Sequence, residues 1–374
     1  MTVKNRVIAP FRYDFVGSFL RPDELKESRR AFENGEISSD ELTDVEDKAI
    51  ETLIEKQKAL GLKSITDGEF RRSWWHLDFM WGLGGVEKTE VDHGYKFNAI
   101  ETRAESARLT GKLSGSNHPF IDHFKFVKQF EDDNTIARQT IPAPAQFLSE
   151  LYRPENIGST EAVYPEKSEL LKDIAVAYQT FIQELYDAGC RNLQLDDCTW
   201  GMIVDENYWK SRSDNVSVSE LSREFVDLNN EAIRNRPSDL IVNTHVCRGN
   251  YRSQWASSGA YDTVADILFG EENVDGYYLE FDTERAGGFE SLKKISGDKL
   301  VVLGLVSSKT RALEDKQEII ERIETAAQYI DKDRLCLSPQ CGFASTEEGN
   351  ELTEEEQWNK MKLVKEIAKE VWGN

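Results

Sequence analysis

The run Leu240-Ile241-Val242-Asn243-Thr244-His245-Val246-Cys247 is apolar and β-branched at its start and ends in an imidazole and a thiol. Leu240, Ile241 and Val242 read as a buried strand. Residues two apart on a strand point to the same side, so His245 and Cys247 can converge on one ion. A second run, Leu335-Cys336-Leu337, leads into Ser338-Pro339-Gln340-Cys341-Gly342. There Pro339 and Gly342 stop the strand, and Cys341 lies just past its end. One imidazole and two thiols form a zinc-type donor set that leaves a coordination position for a substrate, whereas structural zinc sites are normally closed by four protein ligands. The same residues also read as small buried hydrophobes and a hydrogen-bonded loop histidine, and spacing by itself does not separate the two.

Working outward, short apolar or β-branched segments recur at about 11–17, 63–67, 136–142, 191–196, 239–245, 275–281, 299–306 and 333–338. Helix-period sequence lies between most of them, near 39–60, 167–189, 217–234, 259–269, 313–330 and 353–372. The first of these helices is the clearest. Ser38 or Ser39 can cap it, Leu42, Val45, Ala49, Leu53 and Leu60 line one face, and Gly61 stops it. Eight strands alternating with helices predict a parallel sheet closed into a (β/α)8 barrel. A doubly wound open sheet is the alternative, but no Gly-rich phosphate loop follows the first strand. The pattern breaks between about 82 and 135, where β-forming stretches such as Val91 to Phe97 and Arg108 to Leu113 replace a simple helix. We read this as an excursion after the second strand, and its His93, His118 and His123 as scattered surface histidines. With no repeat or linker in view, residues 1–374 are expected to form one domain.

Composition sets limits on partners. The 374-residue chain carries a net charge of −22, which disfavours nucleic-acid backbones and anionic membranes, because both need clustered Lys and Arg. Met1 to Pro10 contains no apolar core of signal-peptide length, and nowhere do eighteen apolar residues run together. Five scattered cysteines, partly inside apolar runs, fit reduced thiols. The expectation is a soluble cytoplasmic protein.

Catalytic residues of such barrels come from the C-terminal ends of several strands. Here those ends read Val16-Gly17-Ser18-Phe19, Thr66-Asp67-Gly68-Glu69, Gln194-Leu195-Asp196-Asp197, His245 with Cys247, Leu279-Glu280-Phe281-Asp282, and Gln340-Cys341-Gly342. Singly, such acids are as readily turn formers or helix caps. Together the motifs resemble the C-terminal catalytic barrel of cobalamin-independent methionine synthase, and more narrowly the single-barrel bacterial proteins of that kind, over nearly the whole chain. The resemblance implies a zinc-dependent methyltransferase that converts homocysteine to methionine. It implies zinc held by His245, Cys247, Glu280 and Cys341, the homocysteine amino group between Glu69 and Asp196, and its carboxylate at Gly17 and Ser18.

Two departures qualify what is carried over. The two-barrel enzymes have an N-terminal barrel that helps hold a polyglutamylated folate, and this sequence has no room for one. Where the family has an Asp-x-His segment after the seventh strand, this sequence reads Val306-Ser307-Ser308-Lys309. Lys309 then stands in the place of the acid histidine, a role that requires a depressed pKa. A corrinoid or another small activated methyl compound is therefore expected to serve better than a triglutamyl folate. The block Phe70-Arg71-Arg72-Ser73-Trp74-Trp75-His76 is expected to floor the site for a flat donor, with Arg available to an acid group on it. Other readings remain: opening of an epoxide by a thiol cofactor, a zinc-free lyase or decarboxylase of the porphyrinogen-decarboxylase-like barrels, and a non-catalytic zinc or amino-acid binding protein.

Overall fold

In the computed structural model, which describes residues 8–211 and 216–373, strands and helices alternate as the periodicity predicts. Strands β1 (Ser64–Ile65), β2 (Gly84–Glu90), β3 (Glu105–Ser114), β4 (Ile136–Ala137) and β5 (Gln139–Pro142) are followed by β6 (Asn192–Asp197), β7 (Ile241–Val246), β8 (Gly276–Glu280), β9 (Leu300–Val306) and β10 (Leu335–Pro339). Strands β5 to β10 form one parallel sheet in chain order, and β1 pairs with β4 in parallel. Only Arg138 separates β4 from β5, so these two act as a single barrel strand. Tyr13 bridges in parallel to Leu337 of β10. The remaining joint is made by Thr66 Oγ1 donating to Gly17 O (2.9 Å) and Phe19 N donating to Gly68 O (3.2 Å). The result is a closed (β/α)8 barrel whose first strand is the segment around Tyr13.

The predicted helices appear at Ser39–Leu60, Lys167–Asp187, Val218–Ile233, Ala265–Glu271, Lys316–Ala326 and Glu354–Trp372. Ser38 is the cap of the first. It forms a reciprocal capping box with Glu41, while Gly61 takes the left-handed conformation (φ 85°) that ends the helix. Helices at Asp23–Glu33, Pro144–Leu151 and Ile157–Val163 were not anticipated; all are short or begin without a side-chain cap. The excursion is an antiparallel hairpin of β2 and β3 followed by a helix, Phe120–Lys128. Within it, His118 corrects the surface reading. It is buried, stacks on Phe79 (centroids 4.5 Å apart), and has both ring nitrogens engaged by Phe79 O and Phe120 N. Of the stretch Met1 to Pro10, residues 1–7 lie outside the described residues. Among the described residues no helix is long and apolar enough to cross a membrane.

The main apolar core lies between the strands and the surrounding helices, while a small separate cluster of Val16, Tyr278, Val302 and Cys336 fills part of the barrel interior. Most of that interior is polar. Arg138, fully buried, donates to Asp14 Oδ1 (2.6 Å), to Ser64 Oγ (2.7 Å) and to Phe15 O (2.6 Å), and Tyr278 OH donates to Asp14 Oδ2 (2.8 Å). Asn192 Nδ2 adds a bond to Ser64 Oγ (3.2 Å). These contacts tie the first, second, third, fourth and sixth barrel strands together beneath the mouth. Removing one partner of a buried ion pair leaves an uncompensated charge, at a cost of about 3–5 kcal/mol. Asp14→Ala should therefore lose stability on that scale in chemical denaturation, whereas Ser38→Ala at the exposed cap should lose only about 1 kcal/mol.

Candidate active site

Strand period two carries the polar layer upward into the site. On β6, Gln194 and Asp196 follow Asn192; on β7, His245 and then Cys247 follow Asn243; on β8, Glu280 follows Tyr278. In register, Asp196 pairs with His245 and His245 with Tyr278. The ligand atoms of His245, Cys247, Glu280 and Cys341 all lie within 4.8 Å of one another, and all four residues are buried.

The donor chemistry of this group fits a metal ion. His245 Nδ1 donates to Tyr278 O (3.1 Å), which fixes the tautomer and leaves Nε2 as a lone pair without a hydrogen-bond partner. The thiols of Cys247 and Cys341 are free and 3.7 Å apart. Each thiol's pKa is pushed well above its ordinary value: that of Cys247 by the neighbouring Cys198 thiol and by burial, that of Cys341 by Cys247 and by burial. A cation among them would reverse that penalty. Glu280 accepts from Arg248 N (2.7 Å) and from Arg285 Nη2 (3.2 Å), and Lys309 Nζ lies 3.9 Å from it. Burial raises the Glu280 pKa, but Lys309, Arg285 and His245 outweigh it, so the carboxylate stays ionised below its usual range.

An acidic pair, Glu69 and Asp196, lines the same cavity of about 720 Å³ as His245, Cys247 and Cys341. Glu69 Oε1 accepts from Thr140 Oγ1 (2.9 Å) and faces Arg72 Nη1 (3.3 Å), while Oε2 has no partner. Gly68 (φ 64°) and Glu69 (φ 62°) are both left-handed, a conformation that costs a non-glycine residue energy and here turns Glu69 to the mouth. Asp196 accepts from Gln194 Nε2 (2.8 Å). Burial raises both carboxyl pKa values, and the charge of Glu69 raises that of Asp196 further. Gly17 belongs to the same corner, because a Cβ there would meet Thr140 Cγ2 at 2.9 Å and Glu69 Oε1 at 3.5 Å. Ser18 lines the cavity, its Oγ accepting from Ala344 N (3.2 Å). Two buried carboxyl groups, one of them with an oxygen that has no partner, thus stand next to small residues.

Residues 159–370 match the family described as cobalamin-independent synthase, catalytic domain. A Bacillus subtilis protein of uncharacterised function, YxjH, is 43% identical over 97% of this chain and 95% of its own length. The chain belongs to the cobalamin-independent synthase family. It is thereby an enzyme, a methyltransferase by class. A Listeria monocytogenes protein described provisionally as a vitamin-B12 independent methionine synthase is 39% identical. Its structure superposes with a TM-score of 0.78, covering 99% of this chain and 100% of that one. The same fold recurs in a B12-independent methionine synthase from Shewanella sp. W3-18-1, in complex with selenomethionine, at 20% identity and a TM-score of 0.73 over 97% and 98% of the two chains.

Within this synthase-type barrel the remaining predicted residues divide. Lys309 reaches the site, but its electrostatics run against the expected depression: burial lowers its pKa, Glu280, Cys341 and Asp282 raise it, and the net value lies above that of an ordinary lysine. The aromatic block splits. Phe70 and Trp74 pack into the core, and only Trp75 and His76 join Trp74 in lining the cavity. Arg71 is held by Glu46 and Asp47, and Arg72 by Glu69 and Thr140, so neither is available to an acid group on a ligand. Three features had no signal in the sequence. Cys198, just past β6, lines the cavity with its thiol beside Cys247. The β2–β3 loop supplies Gly94 to Phe97 and Thr102 as the cavity's roof. That roof is tied to the far rim by Arg103, which pairs with Glu347 (2.7 Å) and Glu348 (3.0 Å), and by Asn98 N donating to Trp255 O (2.9 Å).

The raised Asp196 pKa has a stability consequence with a definite sign. A carboxyl group whose folded pKa exceeds its unfolded value destabilises the fold as pH rises through the interval between the two, and has no effect below it. Asp196→Asn keeps the acceptor for Gln194 and removes the charge. The variant should melt higher than the parent when no amino acid is bound, with a gap that opens as pH rises above the ordinary carboxylate range. A constant gap in a calorimetric pH series would refute the repulsion.

Proposed function

We propose that this enzyme methylates a small amino-acid thiol in a zinc-dependent reaction, with homocysteine to methionine as its activity, in the cytoplasm and as a single domain. The observation that supports this reading is the juxtaposition of a four-residue group suited to a metal with two buried carboxyl groups, Glu69 and Asp196, which share a cavity with His245, Cys247 and Cys341. A metal group alone would suit many thiols. Glu69 and Asp196 beside it, with Gly17 and Ser18 available to a carboxylate, suit an amino acid. The description of the Listeria relative and the selenomethionine complex of the Shewanella protein support the same substrate.

A free thiol has a pKa of about 8.5 and is mostly protonated near neutrality, yet the thiolate is the nucleophile. Zinc bound by His245, Cys247, Glu280 and Cys341 would supply the Lewis acidity that keeps such a sulfur ionised. The chain's own residues do the rest. Glu69 and Asp196 pair with the substrate ammonium through charge-assisted hydrogen bonds, and so fix the distance from backbone to sulfur. Glu280 is the ligand best suited to release, being a hard carboxylate that already holds Arg248 N and Arg285 as alternative partners. Lys309 stays charged beside Glu280 and serves to hold that carboxylate, which makes a methyl donor whose leaving group needs no proton the better match.

Metal analysis should find one zinc per chain. Cys247→Ser or Cys341→Ser should remove most of it, whereas Cys190→Ser, Cys198→Ser and Cys336→Ser should retain it; full occupancy in the Cys247 and Cys341 double variant would sink the site. Titration with L-homocysteine tests the substrate. Glu69→Gln should weaken binding by about 1.5–3 kcal/mol and narrow the preference over a thiol lacking the amine. If the parent protein binds an amine-free coenzyme-type thiol as tightly as homocysteine, the epoxide-opening alternative takes over.

A further inference from the structure

Glu69 owes its direction to a left-handed turn, and a buried arginine from another segment bonds to that turn. Arg21, in the stretch that links the first barrel strand to the helix Asp23–Glu33, is 3% exposed. Its Nη2 donates to Glu69 O (2.6 Å) and Arg72 O (2.8 Å), and its Nη1 to Ala344 O (3.0 Å) and Thr346 O (3.1 Å). All four acceptors are main-chain carbonyls. Burial, together with the charge of Arg29, lowers the Arg21 pKa to about 10, so the side chain keeps its charge and its donors near neutrality.

A buried charge that needed only neutralising would sit against a carboxylate. A guanidinium spread over carbonyls of two separate segments works instead as a brace, because its planar fork fixes the direction of each bond. One of the segments begins with the turn at Gly68 and Glu69, both left-handed. Such a conformation persists at a non-glycine residue only when its surroundings over-determine it. The other segment follows Cys341 directly, where Gly342 O accepts from Asn250 Nδ2 (2.8 Å) and Phe343 N donates to Ser18 O (3.0 Å). Trp75 N, donating to Ser345 O (2.8 Å), and Glu347 N, donating to Ser73 O (3.0 Å), join the same two segments farther from the turn. Arg21 joins them at the carbonyl of Glu69 itself. The Glu69 carboxyl group and the Cys341 thiol, which share the cavity, are thereby indexed to one another through a side chain outside the cavity lining.

We infer that Arg21 is a positioning residue: it sets the place of Glu69 relative to Cys341, and with it the enzyme's discrimination between thiols that carry an amino group and thiols that do not. The inference rests on the reading of Glu69 as a partner of the substrate ammonium. Arg21 itself touches neither substrate nor metal.

The probes are L-homocysteine and 4-mercaptobutyrate, which lacks only the amine. Their binding is measured by calorimetry on the zinc-loaded parent, Arg21→Gln and Arg21→Lys. In Arg21→Gln, L-homocysteine should bind about tenfold more weakly, while the affinity for 4-mercaptobutyrate and the zinc content stay as in the parent. Arg21→Lys, which keeps the charge but not the fork, should lose part of the preference. In a Glu69→Gln background, Arg21→Gln should not narrow the preference further. An arginine that merely stabilised the fold would weaken both thiols alike, or neither; either result, or misfolding of both variants, overturns the inference. Crystal structures of the parent and Arg21→Gln separate it from the substrate reading. If the parent does not prefer the amino thiol, that reading fails and the turn decides: a Glu69 carboxyl group that keeps its place in the variant overturns the inference, and one that shifts relative to Cys341 sustains the positioning by Arg21.

Discussion

The buried pairing of Arg138 with Asp14 is the constraint on which the barrel's mouth depends. An ion pair inside a barrel is expensive to desolvate, and close geometry with further hydrogen bonds must offset that cost. Here the guanidinium, carried by the third strand, reaches carboxylate, carbonyl and hydroxyl groups on the first two, and Tyr278 holds the other oxygen of Asp14 from the sixth. That network fixes which residues of each strand face inward. A one-residue slip would turn each of those side chains to the other face of the strand. With Asn192, Asn243 and Tyr278 set at the lower level, Gln194 and Asp196, His245 and Cys247, and Glu280 must rise above them. The catalytic geometry is thus the upper storey of a structural one.

The upper storey is assembled at some energetic expense. Two carboxyl groups whose pKa values are raised by burial lie close enough for the charge of Glu69 to act on Asp196, and Glu69 sits on a backbone turned left-handed at a non-glycine residue. Local violations of this sort are common where a protein binds or reacts, and these lie in the lining of one cavity.

Much of this was legible in the chain because its signals are local. The run from Leu240 to Cys247 carries both the strand and its ligands within eight residues, and Ser38, Glu41 and Gly61 mark both ends of a helix within one segment. What escaped depends on contacts far apart in sequence. Asp14 and Arg138 are separated by 124 residues, and no periodicity links them. His118 reads as a surface residue from its polar neighbours, yet it is buried and satisfied by Phe79 and Phe120. Arg71 and Arg72 looked available to a ligand until Glu46, Asp47 and Glu69 were found to hold them. Composition names the chemical groups in a site, and only tertiary pairing says which of them are already spent.

The tie made by Arg103 gives the cavity two mechanical characters. Its floor is bound by ion pairs and hydrogen bonds shut away from water, which salt barely screens, whereas its roof meets the far rim through one backbone hydrogen bond, from Asn98 to Trp255, and a partly exposed arginine with two glutamates. Attractions of that kind fade as ionic strength rises and are individually small. The enzyme therefore has a rigid base carrying the reactive groups and a compliant cover. The rate at which bulky molecules come and go would be governed by the ionic medium, while the alignment of the groups beneath stays indifferent to it.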